Sequence, residues 1–161
     1  KVRNEAEEKV DYETELDILG TDIDPRMIEI AQRNAEEIGL GEDITFKQMN
    51  LSDFTTQKEY GVIVANPPYG DRLGDEAQVQ ALYKVMGKVY KPLDTWSKYI
   101  LTSDLTFETH FGSKATKKRK LYIGANAHLD NQEWRNNNDK RTRIFSLFER
   151  NFTTTRSSWF S

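Results

Sequence analysis

Apolar and polar positions along this chain change period several times, and each change marks an element. Leu16 to Thr21 alternates and closes on Gly20-Thr21-Asp22, the pattern of a strand that ends on an acid. Met27, Ile28, Ile30, Ala31, Ala35 and Ile38 then recur at helical spacing. Pro25 suits the first turn of that helix, and Gly39 or Gly41 its stop. Ile44, Phe46 and Gln48 give a second strand, followed by the polar loop Asn50 to Phe54. Tyr60 to Ala65 is the third, and its Val62-Ile63-Val64 run suits a strand covered on both faces, as in a parallel sheet.

Glu76 to Tyr90 places Val79, Leu82, Tyr83, Met86 and Val89 on one helical face, and Trp96 to Thr102 alternates as a fourth strand. Leu105 to Phe111 predicts a short helix, Lys120 to Ala125 a strand, and Arg143 to Glu149 a partner for it. Between these last two, Asp130 to Lys140 is strongly polar, holds Asn136-Asn137-Asn138, and reads as a flexible loop. Upstream, residues 2–10 read as an acidic helix joined by the polar link Asp11 to Glu15; the tail from Asn151 yields no assignment. Strands alternating with helices imply an α/β fold with a doubly wound, mostly parallel sheet, in one domain over residues 1–150.

Composition narrows the chemistry. The 161 residues include no cysteine, which removes disulfides, thiolate nucleophiles and thiolate metal sites. His110 and His128 show no metal-ligand spacing, so no metal is expected. No apolar run approaches membrane-spanning length and no signal peptide is visible, so a cytoplasmic protein without membrane contact is the expectation. The first 80 residues hold 8 Lys/Arg against 19 Asp/Glu, and the remaining 81 hold 15 against 7. A basic half fits a nucleic-acid face, and equally a solvated mixture of charges.

Three loops follow the first three strands, and ligands of open α/β sheets bind outside the carboxyl ends of strands. The first loop holds Asp22, Ile23 and Asp24, the second Asp53, the third Ala65-Asn66-Pro67-Pro68-Tyr69-Gly70. An acid at such a strand end accepts from ribose hydroxyls. Asp22 fits that role, Ile23 could pack on an adenine face, and Asp53 could accept from its amino group. Singly, each aspartate also reads as a cap or turn residue, Asp24 before Pro25 most of all. Proline holds the residue before it extended, so the Asn66 side chain and the Pro67 carbonyl could form paired acceptors, with Tyr69 as a flat wall. That pairing suits a planar group bearing an amine, such as a nucleobase; Asn-Pro-Pro also occurs in ordinary turns.

The strings Gly20-Thr21-Asp22-Ile23-Asp24-Pro25, with Ala31, Asn34 and Ala35, and Asn66-Pro67-Pro68-Tyr69 resemble the S-adenosylmethionine-dependent methyltransferases of Rossmann-like fold, in the branch that modifies exocyclic amines. The longer Asn66-Pro67-Pro68-Tyr69-Gly70-Asp71-Arg72-Leu73 is similar to bacterial 23S rRNA guanine-N2 methyltransferases that carry a THUMP domain upstream; Lys118-Arg119-Lys120-Leu121-Tyr122 resembles their basic strand. The resemblance covers about residues 1 to 125. It implies S-adenosylmethionine bound by Asp22, Ile23, Asp53 and Asn66, catalysis by Asn66, Pro67 and Tyr69, and a substrate RNA met by Pro68, Tyr69 and Arg72. Arg72 would hold phosphate or a base edge, or else a surface ion pair. Lys117 to Lys120 reads as a phosphate contact or a solvated strand edge, and Phe107 and Phe111 as walls of a base pocket or as core.

The family's first strand and glycine-rich loop do not appear between Lys1 and Asp22, nor does its THUMP domain. The chain starts on Lys1, so a partial catalytic domain is the expectation, with weak cofactor binding and little activity of its own. The same short motif serves DNA adenine-N6 and cytosine-N4 methyltransferases and protein-glutamine methyltransferases. A non-catalytic RNA-binding scaffold is the alternative outside enzymes.

Overall fold

The computed structural model describes residues 17–68, 76–123 and 127–134. The helix predicted at residues 2–10, the strand at Arg143 to Glu149 and the tail lie outside the described residues. The chain divides into two compact units, residues 1–54 and residues 55–161.

In the first unit, β1 (Ile18–Asp22) and β2 (Ile44–Gln48) pair in parallel, Ile18 opposite Ile44 and Asp22 opposite Gln48. Helix α1 (Pro25–Glu37) is the crossover between them. Asp24 caps it, its carboxylate accepting from the Arg26 amide at 2.9 Å, and Pro25 opens the first turn. The helix stops where Gly39 takes φ 77° and the Leu40 amide donates to the Ala35 carbonyl at 2.8 Å. Of the two glycines the sequence offered, Gly39 therefore ends it. Gly20 is needed for packing: a Cβ there would stand 2.7 Å from the Phe46 ring.

In the second unit, β3 (Val62–Ala65) pairs in parallel with β4 (Ser97–Thr102), and α2 (Glu76–Tyr90) lies between them in the chain. Helix α3 (Phe107–Phe111) follows, then β5 (Lys117–Ile123) and β6 (Ala127–Trp134). The sheet order is β3-β4-β6-β5, with β6 antiparallel to both neighbours. Helix α2 buries Val79, Tyr83, Met86, Gly87 and Tyr90, one face at helical spacing. Tyr83 meets the Phe107 ring edge-on at 4.6 Å, Phe107 stacks on Phe111 at 5.3 Å, and Phe111 meets Trp134 at 4.6 Å. Phe107 and Phe111 are thus core residues and not the walls of a base pocket.

One expectation fails here. Residues 130–134 are not a loop: they belong to β6, paired with β4 and β5. Their polarity had a different cause. Glu133 is completely buried and forms an ion pair with Arg119 of β5, 3.5 Å from Nε to Oε1. A buried acid paired with a cation on the next strand lies in a sheet interior, yet it reads as solvent-facing in sequence. Strand β5 also starts at Lys117, three residues before the predicted Lys120. The fold is α/β with mixed sheets, the Rossmann-like type foreseen from the alternation of strands and helices.

Candidate active site

Each predicted ligand-binding loop of the described residues lies at the carboxyl end of a parallel strand. After β1, the Asp24 amide donates to Asp22 Oδ1 at 2.8 Å, so the turn itself fixes the half-buried Asp22 carboxylate. Asp24 is committed elsewhere. Its Oδ2 lies 2.6 Å from Arg26 Nη2, and that hydrogen-bonded ion pair holds its carboxyl below the usual range. Asp24 is the helix cap, as Pro25 beside it foretold.

The ends of β1 and β2 are tied together. The Met49 amide donates to the Asp22 carbonyl at 2.9 Å, and Gln48 Nε2 donates to the Ile23 carbonyl at 3.1 Å. Between them opens a cleft of about 430 Å³ lined by Ile23, Lys47, Gln48, Met49, Asn50 and Asp53. Asn50 Oδ1 accepts from the Ser52 amide at 3.0 Å and starts the 3₁₀ turn Leu51–Asp53, which sets Asp53 at the rim. Ser52 Oγ also donates to Asp53 Oδ1 at 3.2 Å.

The structure therefore brings Ile23 and Asp53 together in one cleft. Asp22, though adjacent in the turn, does not line it. Lys47, Gln48, Met49 and Asn50 were missed as lining residues. The signal was their position, on and just after the strand that leads to Asp53. The cleft offers an apolar side chain, a carboxylate and amide groups within one concavity, a donor set that fits an adenosine moiety.

In the second unit, β3 delivers an exposed Asn66, a buried Pro67 and a half-buried Pro68. The Tyr83 hydroxyl donates to the Pro68 carbonyl at 3.1 Å and fixes this loop to α2. Tyr69 and Arg72 lie outside the described residues.

Parallel strands that carry polar loops at their carboxyl ends, a cleft with Asp53 at its rim in one unit and an Asn-Pro-Pro loop in the other, are features of the nucleotide-binding α/β class. The family model UPF0020, "RMKL-like, methyltransferase domain", matches residues 1–131, and the chain belongs to that family. YpsC of Bacillus subtilis (strain 168), whose name proposes an RNA methyltransferase, is 58% identical over 124 residues, 77% of this chain and 32% of YpsC. The ribosomal RNA large subunit methyltransferase K/L of Shewanella baltica (strain OS185) is 38% identical over 112 residues, 69% of this chain and 16% of that protein.

Two crystal structures share the fold. SMU.472 complexed with SAH superposes with a TM-score of 0.77 at 50% identity, over 86% of this chain and 37% of that one. A protein of Listeria monocytogenes str. 4b F2365, named a predicted N6-adenine-specific DNA methylase, gives 0.72 at 54% identity, over 83% and 34%. The chain thus spans about a third or less of the relatives it matches.

Proposed function

We propose that this chain supplies parts of a catalytic domain, over residues 1–150, that methylates an exocyclic amine of an RNA base using S-adenosylmethionine, with guanine N2 of 23S rRNA as the substrate. The observation that carries this is the end of β3, where Asn66 stands exposed beside a buried Pro67 and a Pro68 tied down by Tyr83. Membership of an RMKL-like methyltransferase family supports the reaction class.

S-adenosylmethionine, when bound, supplies an electrophilic methyl group. Asp22 Oδ1 is engaged by the Asp24 amide, and the Asp22 carboxylate, beside the cleft and not part of its lining, would accept from a ribose hydroxyl. Ile23, 64% exposed, and Asp53 line the cleft; Ile23 would pack on the adenine, and Asp53 would accept from its amino group. Asn66 Oδ1 and the Pro67 carbonyl accept the two hydrogens of the target amine. That would orient the nitrogen lone pair for attack and stabilise the positive charge that develops on nitrogen. The acceleration comes from positioning and preorganised dipoles. Tyr69 stacks on the base, worth roughly 1–3 kcal/mol in single-strand binders, flanked by Pro68 and Arg72. A base inside a helix has to be extruded first.

The names of YpsC and of the K/L enzyme favour RNA, and an rRNA substrate puts the reaction in the cytoplasm. The name of the Listeria protein favours a second reading, DNA adenine-N6 transfer. Transfer of labelled methyl groups by the full-length protein to 23S rRNA and to duplex DNA separates them. Label in rRNA that digests to N2-methylguanosine supports the proposal, and label confined to DNA overturns it. Asn66→Ala is expected to lose roughly 10²–10³ in turnover, the scale of one lost stabilising group, with cofactor affinity kept. Equal loss of both sinks the role given to Asn66.

A further inference from the structure

We propose that Tyr83 is a positioning residue for methyl transfer, holding the Pro67 carbonyl in its accepting orientation through the hydrogen bond to Pro68. The proposal rests on the catalytic roles given above to Asn66 and Pro67. Its physical basis is the backbone of the loop itself. Pro67 and Pro68 have no N–H, so at those two positions the loop has no main-chain donors with which to brace itself. An outside donor is required, and the Tyr83 hydroxyl supplies one at 3.1 Å.

The consequence for Pro67 follows from geometry. The ring of Pro68 locks its φ, so ψ of Pro68 is the one soft backbone torsion between the anchored Pro68 carbonyl and the Pro67–Pro68 peptide plane, and the hydrogen bond narrows the positions that plane can take. The Pro67 carbonyl lies in that plane. Burial of Pro67 restrains the other side. Tyr83 is itself immobilised: it is fully buried and packed edge-on against Phe107, which stacks on Phe111.

The carboxyl end of β4 acts on the same hydroxyl electrostatically. Burial raises the Tyr83 pKa, with the Thr102 hydroxyl opposing that shift and the nearby Asp104 carboxylate adding to it. The Thr102 hydroxyl oxygen accepts from the Asp104 amide at 3.1 Å. The phenol therefore stays a neutral donor to the Pro68 carbonyl. Nothing in this arrangement touches the substrate amine. Tyr83 acts through Pro68 and Pro67.

The test is Tyr83→Phe in the full-length protein, which removes the hydroxyl and keeps the ring in the aromatic cluster. The expected result is a fall in kcat of roughly tenfold, the scale of a slightly misplaced acceptor. KM for RNA and Kd for S-adenosylmethionine should stay within twofold. Tyr90→Phe is the control, a buried tyrosine of the same helix, and should leave kcat unchanged. Unchanged kcat in Tyr83→Phe, or an equal fall in Tyr90→Phe, overturns the proposal while leaving the role of Asn66 intact. Full turnover in Asn66→Ala would instead remove the underlying site assignment, and the positioning role with it.

Discussion

Gly87 of α2 lies against the Phe111 main chain of α3 so closely that a Cβ on it would stand 2.1 Å from the Phe111 carbonyl oxygen. The contact brings two helices together beneath the aromatic cluster of Tyr83, Phe107, Phe111 and Trp134. It also lies one helical turn from the tyrosine that braces the loop after β3.

Gly87→Ala therefore opposes two effects. Alanine favours the helix by about 1 kcal/mol over glycine. The clash is with backbone, which cannot swing aside as a side chain can, and overpacking of this kind costs typically 1–3 kcal/mol or more. The clash should win. Urea unfolding is expected to show a lower midpoint with an unchanged slope, and a stabilised variant would mean the helices separate freely.

Asp24 of the first loop should respond differently from Asp53. Asp53→Ala removes an exposed carboxylate from the cleft and is expected to weaken S-adenosylmethionine binding about tenfold, as for one hydrogen bond to a charged group, with little change in Tm. Asp24→Ala removes the cap of α1 and should lower Tm with cofactor affinity kept. Titration calorimetry beside thermal melts reads both. The reverse pattern would exchange the roles of the two residues.

Much of this was legible in the chain. Pro25 after Asp24 announced the cap, and the strand ends at Asp22, Asp53 and Asn66 followed from changes of period. The limits were contacts between residues far apart in sequence. The cleft lining depends on Gln48 donating to the Ile23 carbonyl, which no local pattern encodes. Strand β6 was hidden because Glu133 is buried beside Arg119 of the next strand, so its polarity imitates a loop. Tyr83 looked like one more apolar position on a helical face, since its ring packs and only its hydroxyl does the bracing. Phe107 and Phe111 left two readings open until α3 was seen folded onto α2.

Alkaline pH should unfold the protein through Tyr90. Burial pushes its pKa from 10.0 up to about 12. Between those values the unfolded chain has lost the phenol proton and the folded chain has kept it. Stability is therefore fully present below pH 10 and falls as pH rises, by at most about 1.4 kcal/mol per pH unit for one such group. Denaturation midpoints measured from pH 8 to pH 11 should hold to about pH 10 and then decline, and Tyr90→Phe should flatten the decline. An equally steep loss in the variant would assign it to other groups.

The basic edge strand gives the last prediction. Among the described residues strand β5 ends its sheet, and its first four residues are all cationic. Lys118 is held by Glu108 at 2.7 Å and Arg119 by Glu133, whereas Lys117 and Lys120 stand exposed. Exposed lysines on an edge strand have two physical uses. They block pairing with another chain, or they contact phosphate and make binding salt-dependent. The two uses separate in the variant Lys117→Gln/Lys120→Gln. If the strand meets RNA, affinity falls and the slope of log K against log salt becomes shallower by roughly 0.7 for each lost contact to a single strand. That loss should be uniform across RNA sequences, because phosphate contacts carry no base information. If the strand only guards the sheet edge, the slope stays put and the variant self-associates instead. We expect the shallower slope, because the cations outnumber the acids 15 to 7 in the half of the chain that contains β5. Binding titrations at several salt concentrations, with light scattering as the companion measurement, decide between the two.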